Sequence, residues 1–167
     1  DSTAMQQAYR VLQGFEETVA VAEDEPAPFT GSVWSDSPEI NGQQVTYYLS
    51  HAGDGLAEVL RLDLVAGRWF NSSDDALAGE PVVINQSLAR SLFGDGEAVG
   101  RSVVIRDKQE ISVVGVVSDH RFQGPFVDPY NCMFVRARLD RPISAGLPTQ
   151  FLVRVHPGTP RSFEKKL

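Results

Sequence analysis

The chain has 167 residues, 42% hydrophobic and 22% charged, a balance that suits one globular domain or two small lobes sharing a core and excludes disordered, collagen-like and disulfide-rich classes. Its formal charge of −7 would meet net repulsion from a polyphosphate backbone, so no nucleic-acid partner is expected. A single cysteine, Cys132, excludes an internal disulfide and a paired-thiolate metal site, and the apolar context Cys132-Met133-Phe134-Val135 reads it as a small buried hydrophobe. No apolar run approaches the ~20 residues a spanning helix needs, and Asp1-Ser2-Thr3 does not open a signal peptide, so the chain as it stands reads as soluble.

Met5, Ala8, Val11, Leu12 and Phe15 recur at helical spacing and predict an opening amphipathic helix with Ser2 or Thr3 as N-cap. Residues 18–22 are a short β-prone run. Residues 23–31, with two prolines and three acids, are expected to form a loop. An Asn41-Gly42 turn signal leads into residues 43–50, rich in β-branched and aromatic types and read as a hairpin arm ending near His51. Residues 56–60 predict a short helix, and the weak alternation of 62–65 is broken by Gly67.

Pro81-Val82-Val83-Ile84 reads as a buried strand, followed by Asn85 as cap of a helix that carries Leu88, Ala89, Leu92 and Phe93 on one stripe and stops at Gly94. Residues 102–105 and 111–117 predict an antiparallel pair about a polar turn at 106–110. A loop at 123–130 leads to a strand at 131–135, and a second loop covers 140–148. Arg136 and Arg138, spaced by two and followed by Arg141, are read as a solvated strand face. The tail repeats strand (151–155), Gly158 and a helix through Leu167 with Thr159 as cap and Pro160 as first helical residue. The fold class is α+β, with mixed or antiparallel sheets and a few helices.

Nothing in this chain has the spacing of a catalytic or metal site. Ser118-Asp119-His120 has the residue types of a hydrolase triad, but sequence neighbours diverge in direction and are read as a strand-end turn. Gly94, Gly96 and Gly100 follow a helix and precede a strand, the reverse of a phosphate loop, and no Walker lysine accompanies them. His51, His120 and His156 are far apart and are read as surface or strand-end residues. Asp74-Asp75 after Asn71-Ser72-Ser73 fits an Asx turn or helix cap better than acid–base chemistry. Asn71-Ser72-Ser73 and Asn85-Gln86-Ser87 match the glycosylation sequon, a pattern short enough to occur by chance.

Gly67-Arg68-Trp69-Phe70, Asp74, Pro81 to Asn85, Ala89, Leu92-Phe93, Gly100-Arg101-Ser102-Val103 and Val113-Val114-Gly115-Val116-Val117-Ser118-Asp119 stand in a fixed order. Together they resemble the MacB-like periplasmic core domain, with its segments G-R-x-F … D, V-x-I-N-x-x-x-A-x-x-L-F and V-V-G-V-V-x-D. The match covers roughly residues 64–124, with a weaker echo at 151–167.

The resemblance implies the periplasmic domain of an FtsX/MacB-type ABC transporter permease of the cytoplasmic membrane, held between the first and second membrane helices. Residues 1–35 and 135–167 would form a membrane-proximal lobe and 36–134 an inserted distal lobe. It implies a mechanical coupler and not an enzyme, with ATP on a separate or fused cytoplasmic ATPase and no cofactor or metal in this domain. A second permease copy or paralogue and a periplasmic adaptor are the further partners implied.

Gly67, Phe70, Asp74, Asn85, Leu92, Phe93, Gly100, Gly115 and Asp119 are read first as fold-maintaining motif residues, and Arg68 and Arg90 as exposed, inter-lobe or partner contacts. Two other readings compete. A ligand-sensing extracytoplasmic receptor domain would need a saturable small-ligand pocket, and a hydrolase would need a cleft uniting distant acids or histidines.

Overall fold

The computed structural model describes residues 2–28, 30–105, 109–120, 130–140 and 150–167. Residues 106–108 of the turn expected at 106–110, most of the loops expected at 123–130 and 140–148, and Arg141 lie outside these residues, while Gln109 and Glu110 of that turn are strand. In chain order the elements are α1 (Ser2–Gln13), β1 (Thr18–Glu25), β2 (Trp34–Asp36), β3 (Glu39–Ile40), β4 (Gln43–Gln44), β5 (Tyr47–Ala52), α2 (Leu56–Leu60) and β6 (Leu64–Gly67). They continue as β7 (Glu80–Asn85), α3 (Gln86–Phe93), β8 (Ser102–Ile105), β9 (Gln109–Val117), β10 (Cys132–Arg136) and β11 (Phe151–Val155), with short 3-10 turns at Ser72–Ala76 and Arg161–Lys166.

Four sequence expectations are corrected. Ser2 and Thr3 lie inside the first turn of α1, and the Ser2 hydroxyl donates to the Leu139 carbonyl, so it is not available as a cap. Residues 23–25 complete β1 and are not loop: the strand bonds β11 through residues 18–23 and β5 through Asp24 and Glu25, and these ladder bonds outweigh the poor strand preference of acids.

The arm expected over 43–50 breaks at Val45-Thr46, where the buried Val45 donates its N–H to the Pro38 carbonyl at 3.0 Å. Only β3 and β4 form the hairpin, across Asn41 (φ 53°) and Gly42 (φ 78°), the positive angles a tight two-residue turn demands. At the tail, Pro160 is extended at the cap position and the Thr159 hydroxyl donates back to His156, leaving a 3-10 turn where a helix was expected.

Nine strands among the described residues form one mixed sheet in the order β11-β1-β5-β10-β7-β9-β6, with β2 beside β5 and β8 beside β9. The β5/β10 and β7/β9 pairs are parallel and the others antiparallel. Because side chains alternate along a strand, the apolar runs of the central strands feed both faces. Val82, Ile84, Met133 and Val135 enter one core with Tyr47, Ile111 and Leu88 of α3. Val83, Cys132 and Phe134 enter the other with Ala20, Ala22, Leu56, Trp69 and Phe70. Each fully buried side chain of this size contributes about 1.5–3 kcal/mol, so these strands supply much of the stability.

The register of β9 shifts where Val82 faces Val113 and Val83 faces Gly115. The extra residue, Val114, lets Val113 and Val116 share a core face although they are three residues apart. At the bulge, Gly67 of β6 pairs with Gly115 of β9. A Cβ on Gly115 would lie 2.2 Å from the Arg68 carbonyl oxygen, and one on Gly67 (φ +68°) 2.3 Å from that of Val114. The sheet also brings the two ends of the chain together. β1 pairs with β11, the Phe15 and Phe163 rings meet edge-on at 5.4 Å, and Lys166 pairs with Glu17 at 2.5 Å.

Gly115→Ala is expected to cost about 2–3 kcal/mol through backbone overpacking. Gly42→Ala, whose added methyl meets open space, should cost about 1 kcal/mol from its backbone angle alone. Urea denaturation checks the order, and equal losses would contradict the close approach of β6 and β9.

Candidate functional site

The Asn85 side chain, wholly buried at the end of β7, joins four segments. Its Oδ1 accepts from the Leu88 N–H (3.1 Å), capping α3, and from the Cys132 N–H (2.9 Å), the first residue of β10. Its Nδ2 donates to Asp119 Oδ1 and to the Tyr130 carbonyl, both at 2.8 Å. Asp119 also accepts from the Ser87 N–H and hydroxyl (each 2.8 Å) and from Arg90 (3.0 Å). Burial alone would raise the Asp119 carboxyl, but the hydrogen bonds from Ser87 and Arg90 outweigh it and hold it below its ordinary value. The motif segments around Ile84-Asn85 and Ser118-Asp119 are thus one tie between strand ends and the start of α3. Leu92 and Phe93 pack half-buried against the core, Phe93 under the Arg101 guanidinium at 4.8 Å, and Gly100 makes its turn at φ +82°.

The other motif segment forms a second unit. Once Gly67 has brought β6 against β9, the Arg68 N–H bonds the Val114 carbonyl (3.0 Å) and its guanidinium grips Asp74 at 2.9 and 2.5 Å. Trp69 and Phe70 turn into the core, with Trp69 Nε1 donating to the Gly53 carbonyl at 3.2 Å. Asn71 caps the following 3-10 turn by accepting from Ser73 N–H, while Asp74 accepts from the Asn71 N–H, each at 2.9 Å. Burial would raise Asp74, but the bonds from Arg68 and Asn71 prevail and depress it.

Arg136 and Arg138 correct the solvated-face reading. The Arg136 side chain is 9% exposed and grips Asp54 with two 2.7 Å bonds and Asp75 with one of 2.8 Å. Arg138 pairs with Asp75 and with Asp140. This ladder of alternating charge joins the turn before α2, the 3-10 turn after Phe70 and the end of β10, beside the Arg68–Asp74 pair. Sequence spacing located the arginines but not their carboxylates, which come from positions up to 82 residues away.

Arg68 and Arg90 keep 40% and 58% of their side chains exposed while bound to Asp74 and Asp119. Ser118, Asp119 and His120 do not assemble as a triad: Asp119 is engaged at α3, and His120 stacks on Phe134 with ring centres 5.8 Å apart. Of the surface and strand-end readings, His51 takes the second, buried near the end of β5 edge-on to Trp34 at 5.7 Å, whereas His156 is exposed. Cys132 is buried, and burial pushes its thiol far up.

No cluster of His, Cys, Asp or Glu among the described residues has metal-binding geometry. A cleft of about 620 Å³ lies between β5, β10 and the segment before β7. Tyr47, Ile111 and Met133 on its floor are buried, and acids and arginines (Asp74, Asp75, Arg136 and Arg138) stand at its rim, already paired with one another or with Arg68 and Asp54.

The family model of the MacB-like periplasmic core domain matches residues 3–164, and the chain belongs to that family, the periplasmic domains of ABC transporter permeases. The macrolide export ATP-binding/permease protein MacB of Chromobacterium violaceum is 30% identical over 123 residues, 68% of this chain and 18% of the relative. MacB 1/2 of Paracoccus denitrificans is 36% identical over 77 residues, 46% of this chain and 11% of the relative. The chain therefore spans less than a fifth of the length of these curated relatives.

Among solved structures, the periplasmic region of MacB from Actinobacillus actinomycetemcomitans superposes with a TM-score of 0.67 at 18% identity, covering 95% of this chain and 67% of that one. The extracellular domain of the noncanonic ABC-type transporter YknZ from Gram-positive bacteria gives 0.64 at 18% identity, covering 95% and 75%. Both share the α+β fold with a mixed sheet and few helices. No helix among the described residues is long and apolar enough to cross a membrane.

Asn85→Ala, which strips a cap and leaves buried backbone groups unpaired, should cost about 3 kcal/mol or more, whereas Arg90→Ala should cost under about 1 kcal/mol because its ion pair is exposed to water. Chemical denaturation distinguishes them. The depressed Asp74 and Asp119 carboxyls contribute stability that is present above about pH 4 and lost as pH falls through their folded values. Asp119→Asn should accordingly lose less stability than the parent chain on acidification below about pH 4, measured by thermal melts.

Proposed function

We propose that this domain is the mechanical coupler of its permease, converting ATP hydrolysis by a cytoplasmic ABC ATPase, separate or fused, into movement or export of a substrate on the outer side of the membrane. The observation that carries the reading is the meeting of both chain ends at one edge of the sheet, β1 against β11 and Phe15 against Phe163. A domain inserted between two membrane helices must return its chain to the face it left. On this reading residues 1–35 and 135–167 stand nearest the membrane and 36–134 reach outward, although one sheet runs through both. The domain works by moving and binding, not by bond chemistry, and needs no cofactor, since ATP is held by the ATPase.

Two permease copies or paralogues would face each other across the transport path, with a periplasmic adaptor as a further partner. Arg68 and Arg90, half exposed beside rigid ties, are suited to contacts between lobes or with such a partner. The transporter relatives support this reading over the sensor alternative.

Replacing residues 3–164 by a short flexible linker in the full-length permease, reconstituted with its ATPase, should abolish substrate movement while ATP hydrolysis remains measurable. Undiminished transport by that variant would overturn the coupling role.

A further inference from the structure

We infer that the seam where β1 passes from β11 to β5 is a proton-operated clasp, closed while Asp24 carries a proton and loosened when Asp24 is ionised. β1 follows β11 from Thr18 to Glu23, then bonds β5 only at Asp24, opposite Ala52, and Glu25, opposite His51. This is the shortest junction along the main strand order of the sheet, reinforced by the Gly53 N–H donating to the Glu23 carbonyl at 2.9 Å. Two carboxyls are buried in it, Glu23 at 7% and Asp24 at 1% exposure, and neither forms an ion pair with a described residue. Adjacent along a strand, they face opposite sides of the sheet, so one cation could not serve both.

Among the described residues, the groups around the pair offer no free compensating charge. From β5, the Ser50 hydroxyl donates to Asp24 at 2.5 Å, while burial lowers the His51 imidazole against the opposing pull of Glu25. From β10, Cys132 is a buried thiol that burial keeps protonated. From β1 itself comes the acid Glu25. On the Glu23 side stand Asp54, before α2, and Tyr9 of α1, whose hydroxyl donates to the Val21 carbonyl at 3.3 Å. Arg136 occupies the same register row as Asp24 and Ala52, but its guanidinium is engaged with Asp54 and Asp75.

An ionised carboxylate in such a place is costly until water reaches it. Burial pushes the Asp24 carboxyl up to about 7 despite the Ser50 hydrogen bond that pulls it down, and burial raises Glu23 too. Opening the seam returns Asp24 to the ordinary carboxyl range near 4. The closed seam therefore binds a proton that the open seam releases. The stability that Asp24 contributes to it is complete below about pH 4, falls as pH rises, and levels off above about pH 7. In the transporter, acidification outside the membrane would stiffen the join between the chain-end strands and the rest of the sheet. Only this use of the clasp rests on the transport reading; the clasp itself does not.

Amide hydrogen exchange of the 167-residue chain, followed by mass spectrometry at about pH 5 and 7.5 and corrected for intrinsic rates, tests the clasp. Peptides over 20–26 and 48–54 should lose protection by roughly a hundredfold between the two, those over β7 should not, and Asp24→Asn should remove most of the difference, leaving only what Glu23 contributes. Seam protection that is constant with pH, that falls equally in Asp24→Asn, or that falls together with the whole sheet would overturn the proposal. Should Asp24→Asn fail to fold, the carboxyl carbon shift of Asp24 in the parent chain decides: a midpoint near 7 supports the clasp and one near 4 overturns it.

Discussion

The tertiary structure hangs on one side-chain amide. Asn85 stands at the end of β7, and its two acceptor and two donor bonds reach the start of α3, the start of β10 and the chain leaving β9. No apolar residue could replace it, because the backbone groups it satisfies would be stranded out of water. Asp119 extends the tie by closing the start of α3 through Ser87 and by holding Arg90 at the surface. The parallel pairing of β7 with β9 and the seating of α3 on the sheet follow from this junction.

A second constraint is steric. The closest backbone approach at the β6 edge passes between Gly67 and Gly115, and the segment after Gly67 depends on it: Arg68 reaches Asp74, Trp69 and Phe70 turn into the core, and the capped turn places Asp75 between Arg136 and Arg138. The glycines and the charge ladder are thus consecutive links of one chain of contacts. Such a body is stiff where these ties lie, and the short, acid-bearing seam at β1 is the contrasting place.

For the coupling role proposed above, stiffness would itself be functional. A domain that deformed under load would absorb the movement delivered through its ends, whereas one braced by buried polar ties and two cores passes it on. The exposed halves of Arg68 and Arg90 are held at set positions by Asp74 and Asp119, which suits surfaces that must meet a partner in a defined orientation.

The local grammar of this chain was legible in the sequence. Val82-Val83-Ile84 as a strand, Asn85 as a cap, Gly94 as a stop, the pair around 106–110 and the Asn41-Gly42 turn rest on interactions within a few residues, where propensity and capping chemistry decide. The motif order from Gly67 to Asp119 likewise pointed to the family, because spacing survives where identity does not. Invisible there were the strand role of Glu23-Asp24-Glu25, the break at Val45 and the burial of Arg136. Each depends on a partner beyond its immediate neighbours: β11 and β5 for the acids, Pro38 across the hairpin for Val45, Asp54 and Asp75 for the arginine. A carboxylate or guanidinium has the same local preferences whether it faces water or a buried partner. Only the folded sheet, by bringing those partners within hydrogen-bonding distance, decides which of the two it is.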